Sequence, residues 1–200
     1  MAALTTTVVL AAGASSASAG VLVASAPACD EQPLAKTFLP WLDFADYTPL
    51  AGADFETGAA GWSLGGSAVA NGNEPYRVGG ASDAKSLALP AGASATSPAI
   101  CVGILHPTIR FFAKRRSGGM LSLSTLRVDV LFETAGGHVA WLPIGLVASG
   151  GSWQATSPML VIANLLPLLP GEQTPVRFRF TAQGADWSID DVYVDPYGRR

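Results

Sequence analysis

Charge is what this sequence has least of. Only 14 % of its 200 residues are Asp, Glu, Lys or Arg, and the net charge is −3. A phosphate backbone is held by a basic surface, so nothing here points to a nucleic-acid partner. Histidine is nearly absent as well. His106 and His138 stand far apart and the two cysteines, Cys29 and Cys101, are too widely spaced for a zinc finger. No Gly-x-Ser-x-Gly elbow, His-Glu-x-x-His pair or glycine-rich loop opening a helix occurs, so no catalytic residue is expected. Glu56 and Asp190 could be imagined as a glycosidase pair, but a metal or a wet sheet edge accounts for them more simply. Capped helical periodicity longer than three turns is missing, and so is any internal repeat.

What is present is apolar residues and turn formers. The hydrophobic share is 49 %, which excludes intrinsic disorder, and 22 glycines and 14 prolines favour many turns over long helices. Met1 to Ala28 carries no charge, and the apolar run from Leu4 to Ala14 is followed by small residues at Ala17-Ser18-Ala19 and Ala26-Pro27-Ala28. That pattern predicts a secretory signal over residues 1–28. Its basic leading stretch is missing, so a true start a few codons upstream is expected. A membrane anchor is the alternative, but Thr, Ser and Gly break the run before the ~20 residues a span needs. A secreted or cell-surface location makes a Cys29–Cys101 disulfide the expected state of the two cysteines. A lipid-modified Cys29 is the competing outcome. The lone basic cluster, Lys114-Arg115-Arg116, is expected at a solvated hairpin tip, because Ser117-Gly118-Gly119 follows it.

Residues 29–51 show no period of 2 or 3.6, yet hold Phe38, Trp41, Phe44 and Tyr47. They are expected to lie across the fold as an extended arm, with a partly ordered spacer as the alternative. From Gly52 to Pro196 short apolar runs recur at the roughly 8–12-residue spacing of sandwiches and barrels. Strands are predicted at Gly61–Leu64, Ser67–Ala70, Tyr76–Val78, Ser86–Leu89, Ala95–Val102, Thr108–Lys114, Leu123–Glu133, Val139–Pro143, Ser152–Ala155, Val176–Thr181 and Trp187–Val194. In Met159–Leu169, Pro167 stops a long helix, so a strand followed by a short helical turn is expected. The fold class that follows is an all-β, antiparallel two-sheet jelly-roll sandwich over residues 52–196.

Two strands alternate cleanly. Leu126, Val128, Val130 and Phe132 face inward against Arg127, Asp129 and Glu133, and Val176, Phe178 and Phe180 against Arg177, Arg179 and Thr181. The last strand does not. Trp187 and Ile189 have odd parity whereas Val192 and Val194 have even parity, so one extra residue at Asp190-Asp191, a β-bulge, is needed to keep all four on one face. Asp54 and Glu56 at the start of the sandwich are the expected neighbours of that bulge.

Asp54-Phe55-Glu56 followed by Trp62, with a distant Trp187-Ser188-Ile189-Asp190-Asp191-Val192, resembles the opening and closing strands of jelly-roll carbohydrate-binding modules and related extracellular adhesion-type sandwiches. The chain is also similar overall to small secreted bacterial proteins. The first resemblance implies a structural calcium ion held by Glu56 and Asp190 or Asp191, with Asp54 as an extra ligand and carbonyls completing the shell. Oxygen donors of that kind suit so hard a cation. The plain alternative is that both aspartates cap strand ends in water. For a glycan, stacking aromatics and a few polar groups are required, and Trp62, Tyr76, Trp141 and Trp153 with Arg110, Asn73 and Glu74 are the candidates. Each could instead be a core or edge residue. The function expected is a non-catalytic, monomeric binding module for a glycan, without a membrane span. The alternative is a cell-surface structural or interaction protein whose Met159–Leu169 segment packs on a partner.

Overall fold

A computed structural model of the protein describes residues 22, 29, 32–103, 105–118, 124–134, 136–148, 150–162 and 173–197. Apart from Leu22, the predicted signal lies outside these residues. So does the stretch of Met159–Leu169 beyond position 162. Among the described residues no helix is long and apolar enough to cross a membrane.

Among the described residues thirteen strands run in chain order: β1 Thr48–Pro49, β2 Ser63–Gly65, β3 Ala68–Asn71, β4 Lys85–Leu89, β5 Ser94–Thr96, β6 Ile100–Gly103, β7 Thr108–Arg115, β8 Thr125–Glu133, β9 Val139–Val147, β10 Gln154–Ala155, β11 Met159–Leu160, β12 Gln173–Gln183 and β13 Trp187–Asp195. They form two antiparallel sheets, the jelly-roll sandwich predicted. The first is ordered β10-β7-β13-β4-β3, with β1 on β13 and β11 on β7. The second is ordered β2-β5-β12-β8-β9, with β6 also on β12. Between them lies one apolar core in which Ile109 and Phe111 of β7 and Trp187, Ile189, Val192 and Val194 of β13 meet Leu126, Val128, Phe178 and Phe180. The alternation read from β8 and β12 is the pattern that buries those residues.

Three departures from the predicted strands have local causes. The stretch Ala95–Val102 is two strands, because Pro98 cannot donate to the β12 ladder. Ser97 mends the gap by exchanging bonds with Phe178: its amide donates to the Phe178 carbonyl (2.9 Å) and its Oγ accepts from the Phe178 amide (2.9 Å). No strand forms at Tyr76–Val78. There the Glu74 carboxylate takes the amides of Tyr76 and Val78, the latter at 2.7 Å, and winds the segment into a loop instead of leaving those donors to a neighbour. The strand expected to end at Pro143 runs on to Val147, since β9 is the edge of its sheet and an edge tolerates proline. Lys114 and Arg115 are the last residues of β7 rather than a hairpin tip.

Residues 32–50 cross the outer face of the first sheet, as the arm was expected to do. The Cys29–Cys101 disulfide ties its start to β6, and Gln32 Nε2 donates to the Cys101 carbonyl at 3.0 Å. Ala35 and Tyr47 exchange backbone hydrogen bonds at 2.9 and 2.8 Å, and β1 pairs with β13. Phe38 and Tyr47 are fully buried in a second, smaller core against Phe112 and Tyr193. Phe38 stacks on Phe112 at 5.7 Å and meets Tyr47 edge-on at 4.9 Å. The first sheet is therefore covered on both sides, which is why all nine residues of β13 are buried.

Candidate functional site

The bulge predicted in the last strand is present, and a pocket is built on it. The register of β13 against β7 shifts between Asp190 and Tyr193, and Asp191 has φ +48°. Aspartate tolerates that left-handed conformation better than most residues. The shift returns Val192 and Val194 to the inner face and turns Asp190 and Asp191 outward, under the loop from Gly72 to Ala84. Asp190, Asp191, Glu74 and Asp83 are all buried there, and no basic side chain pairs with any of them among the described residues.

Electrostatics follow from that crowding. Burial, then the neighbouring Asp191 charge, pushes Asp190 up to about 9. Burial, then the charges of Glu74 and Asp83, pushes Asp191 up to about 7. Asp83 is raised as well, by burial and then by Glu56 and Asp54.

The individual oxygens separate into engaged and free. Both oxygens of Asp190 are engaged: Oδ2 accepts from the Glu74 amide (3.2 Å) and Oδ1 from the Asp191 amide (3.0 Å). Glu56 Oε1 accepts from the amides of Ala84 (2.8 Å) and Lys85 (2.6 Å). Asp83 Oδ2, by contrast, is buried with no hydrogen-bond partner. A Cβ placed on Gly79 would lie 2.7 Å from Asp83 Oδ2 and 2.7 Å from Asp191 Oδ1. A side chain at Gly79 would therefore collide with both carboxylates, so glycine lets the loop backbone approach Asp83 and Asp191 closely. Asp54, Gly79 and Asp191 line one cavity of about 300 Å³ beside it.

These groups fit a hard cation in part. Among the described residues no group of three or more His, Cys, Asp or Glu side chains is gathered to hold a metal ion. Two carboxylates with carbonyls and water is the arrangement that remains. The set expected from the sequence changes accordingly. Asp191 and Asp54 line the cavity and each also accepts one backbone amide, from Gly79 and Glu56 respectively, both at 3.3 Å, whereas Asp190 and Glu56 accept backbone amides without lining it. Asp83 was not singled out. Its only sequence signal was its place in a glycine-rich turn, Gly79-Gly80-Ala81-Ser82-Asp83.

The aromatic candidates scatter. Trp62 is in the main core, 8 % exposed, with its ring near Phe55 and Phe180 and its Nε1 donating to the Ala51 carbonyl at 3.0 Å. That leaves it no face for a ligand, and the expectation for this residue is corrected. Arg110 is also internal. Its Nη1 reaches Asp43 Oδ2 at 2.7 Å, its Nε donates to the Thr156 carbonyl at 2.8 Å, and its guanidinium lies 4.3 Å from the Phe38 ring centroid. Burial alone would raise Asp43, but donation by the Tyr47 hydroxyl, the Ala45 amide and Arg110 holds it below its ordinary value. Arg110 therefore pins the arm. It touches a pocket of about 490 Å³ between the arm and Thr156-Ser157-Pro158. Trp153 is half-buried beside Lys114, and Tyr76 is half-exposed against Trp41 and Phe112 at the rim of the arm.

Trp141 is different. It stands on β9, on the outer face of the second sheet, with half its surface in solvent. Its ring centroid is 5.1 Å from the Arg179 guanidinium and 5.6 Å from that of Arg127. Between the two arginines Asp129 is fully buried. Arg179 Nη2 and Nε lie 3.0 and 3.1 Å from its Oδ2, and Arg127 Nε lies 3.2 Å from its Oδ1. The carboxylate holds both guanidiniums against the ring. The outward positions of Arg127, Asp129 and Arg179 were legible from alternation, whereas that of Trp141 was not. Nor was their convergence, because it depends on the β12–β8–β9 register that sets Arg179 beside Asp129.

No protein-family model matches this sequence, and no curated protein matches it. Solved structures do match. One is the CBM22-2 xylan-binding domain from Paenibacillus barcinonensis Xyn10C, at 13 % identity over 72 % of this chain and 97 % of that one, with a TM-score of 0.49. Another is the pair of CBM22-1 and GH10 modules of Clostridium thermocellum Xyn10B in complex with xylohexaose, at 14 % identity over 73 % of this chain and 28 % of that one, with a TM-score of 0.49. A third is TmCBM61 in complex with β-1,4-galactotriose, at 14 % identity over 72 % of this chain and 95 % of that one, with a TM-score of 0.42. The solved structures this chain resembles in architecture are carbohydrate-binding modules.

Proposed function

We propose that the protein is a secreted, non-catalytic glycan-binding module whose bulge pocket takes a structural calcium ion. The observation that carries the glycan is Trp141. It is a half-exposed indole on the outer face of the second sheet, with two guanidiniums 5.1 and 5.6 Å from its ring centroid, and an exposed aromatic ring is what stacking on a sugar requires. The Cys29–Cys101 disulfide supports export, since such bonds persist in oxidising compartments. The orphan oxygen of Asp83 and the cavity lined by Asp191 and Asp54 support the calcium ion, with Asp83 and Asp191 as its side-chain ligands.

The test of the glycan is an array of immobilised oligosaccharides probed with wild type and with Trp141→Ala. Wild type should bind at least one class of glycan. The variant should fold normally by circular dichroism and lose about tenfold or more in affinity. A wild-type array without signal ends the reading. It would favour a cell-surface interaction protein, for which Leu42 (81 % exposed), Phe44 (61 %) and Leu160 (47 %) supply an apolar surface.

A further inference from the structure

We propose that the glycan taken by this face is acidic, a uronic-acid sugar whose carboxylate is received by Arg127 and Arg179 while its ring lies on Trp141; this rests on the glycan reading above. Two guanidiniums share one carboxylate at Asp129, so the cluster keeps one positive charge beneath an exposed aromatic ring. Asp129 has no exposed surface, whereas the Arg127 and Arg179 side chains are 30 % and 28 % exposed. The charge that reaches solvent is therefore the cationic part of the trio. Asp129 Oδ2 accepts from Nε and Nη2 of Arg179, while Arg127 Nε stands 3.2 Å from Oδ1 as an ion pair without a hydrogen bond. Both guanidiniums thus lie beside the Trp141 ring on side chains that remain partly open to solvent.

A planar fork of N–H donors matches a carboxylate in a way that a hydroxyl-only sugar cannot use. The setting adds contrast. The chain as a whole carries a net charge of −3. Neutral-sugar recognition needs no such cation. A cation braced by a buried carboxylate and left facing water needs an anion to complete it.

The discriminating measurement uses uronate hexasaccharides and the same compounds after carboxyl reduction, which removes the charge and keeps linkage and stereochemistry. Calorimetry at low salt should give at least tenfold tighter binding for one uronate form than for its reduced form. Raising salt to 0.5 M should shrink that ratio. Arg127→Gln leaves the two Arg179–Asp129 bonds in place and should bring the two forms within about threefold, while Arg127→Lys should retain part of the preference. Equal or tighter binding of the reduced sugars overturns the acidic preference and leaves the glycan reading standing. No binding of either form, together with an empty array, overturns both.

Discussion

In EDTA the melting temperature should fall as the pH is raised from 5 to 8, and calcium at millimolar concentration should restore it. The sign follows from the bulge carboxylates. In the unfolded chain an aspartate titrates near 4. In the folded protein Asp191 is pushed up to about 7 and Asp190 up to about 9, by burial first and then by each other's neighbourhood of charge. Between pH 4 and those values the folded state holds protons that the unfolded state has released. Stability is then fully present below about pH 4 and drains away as the pH rises through 7 and on towards 9. Below pH 4 the loss of ordinary carboxylate pairs such as Asp43–Arg110 works the other way, so the metal-free optimum should sit near pH 4–5.

Calcium bound as proposed should invert that slope, because it would need Asp83 and Asp191 ionised. At 100 times its dissociation constant a ligand adds roughly 2.7 kcal/mol, which for a chain of this size is a rise of about 5–10 °C. Asp191→Asn should flatten the pH slope in EDTA and abolish the calcium shift. Melting that is equal at pH 5 and pH 8, with and without calcium, would remove the ion from the bulge and return Asp190 and Asp191 to a purely structural role.

Reduction of the Cys29–Cys101 disulfide should cost about 4 kcal/mol in the chain-entropy treatment, because the bond closes a loop across a sequence separation of 72. At this size that is a fall in melting temperature on the order of 10 °C. The loss should be felt first in the arm. Phe38, Trp41 and Tyr47 cover Phe112 and Tyr193 only while the arm lies across β7 and β13, and its start is held by this bond. Hydrogen exchange on Cys101→Ser should therefore show amides of Ala35 and Tyr47 exposed well before those of β8 and β12. Simultaneous exposure of arm and sandwich would mean that the arm is an integral layer of one cooperative unit. An unchanged melt on reduction would remove the staple from the energetics altogether.

Much of this molecule follows from spacing alone. Period-2 alternation in β8 and β12 is a local property, so it identified the inward and outward residues of the second sheet. The parity break between Ile189 and Val192 is likewise local, and only a bulge reconciles it with a common core. The count and compartment of the cysteines pointed to their pairing. What the alternation could not reveal is what stands opposite. Asp129 meets Arg179, and Asp191 meets Asp83 and Gly79, only through ladder register and the path of the loop from Gly72 to Ala84, and both are set by long-range packing. Trp62 and Trp141 are the same residue type, each in a short apolar run. One is buried against Phe180 and the other stands in water, because only the assembled sandwich decides which face of a strand has a second sheet behind it.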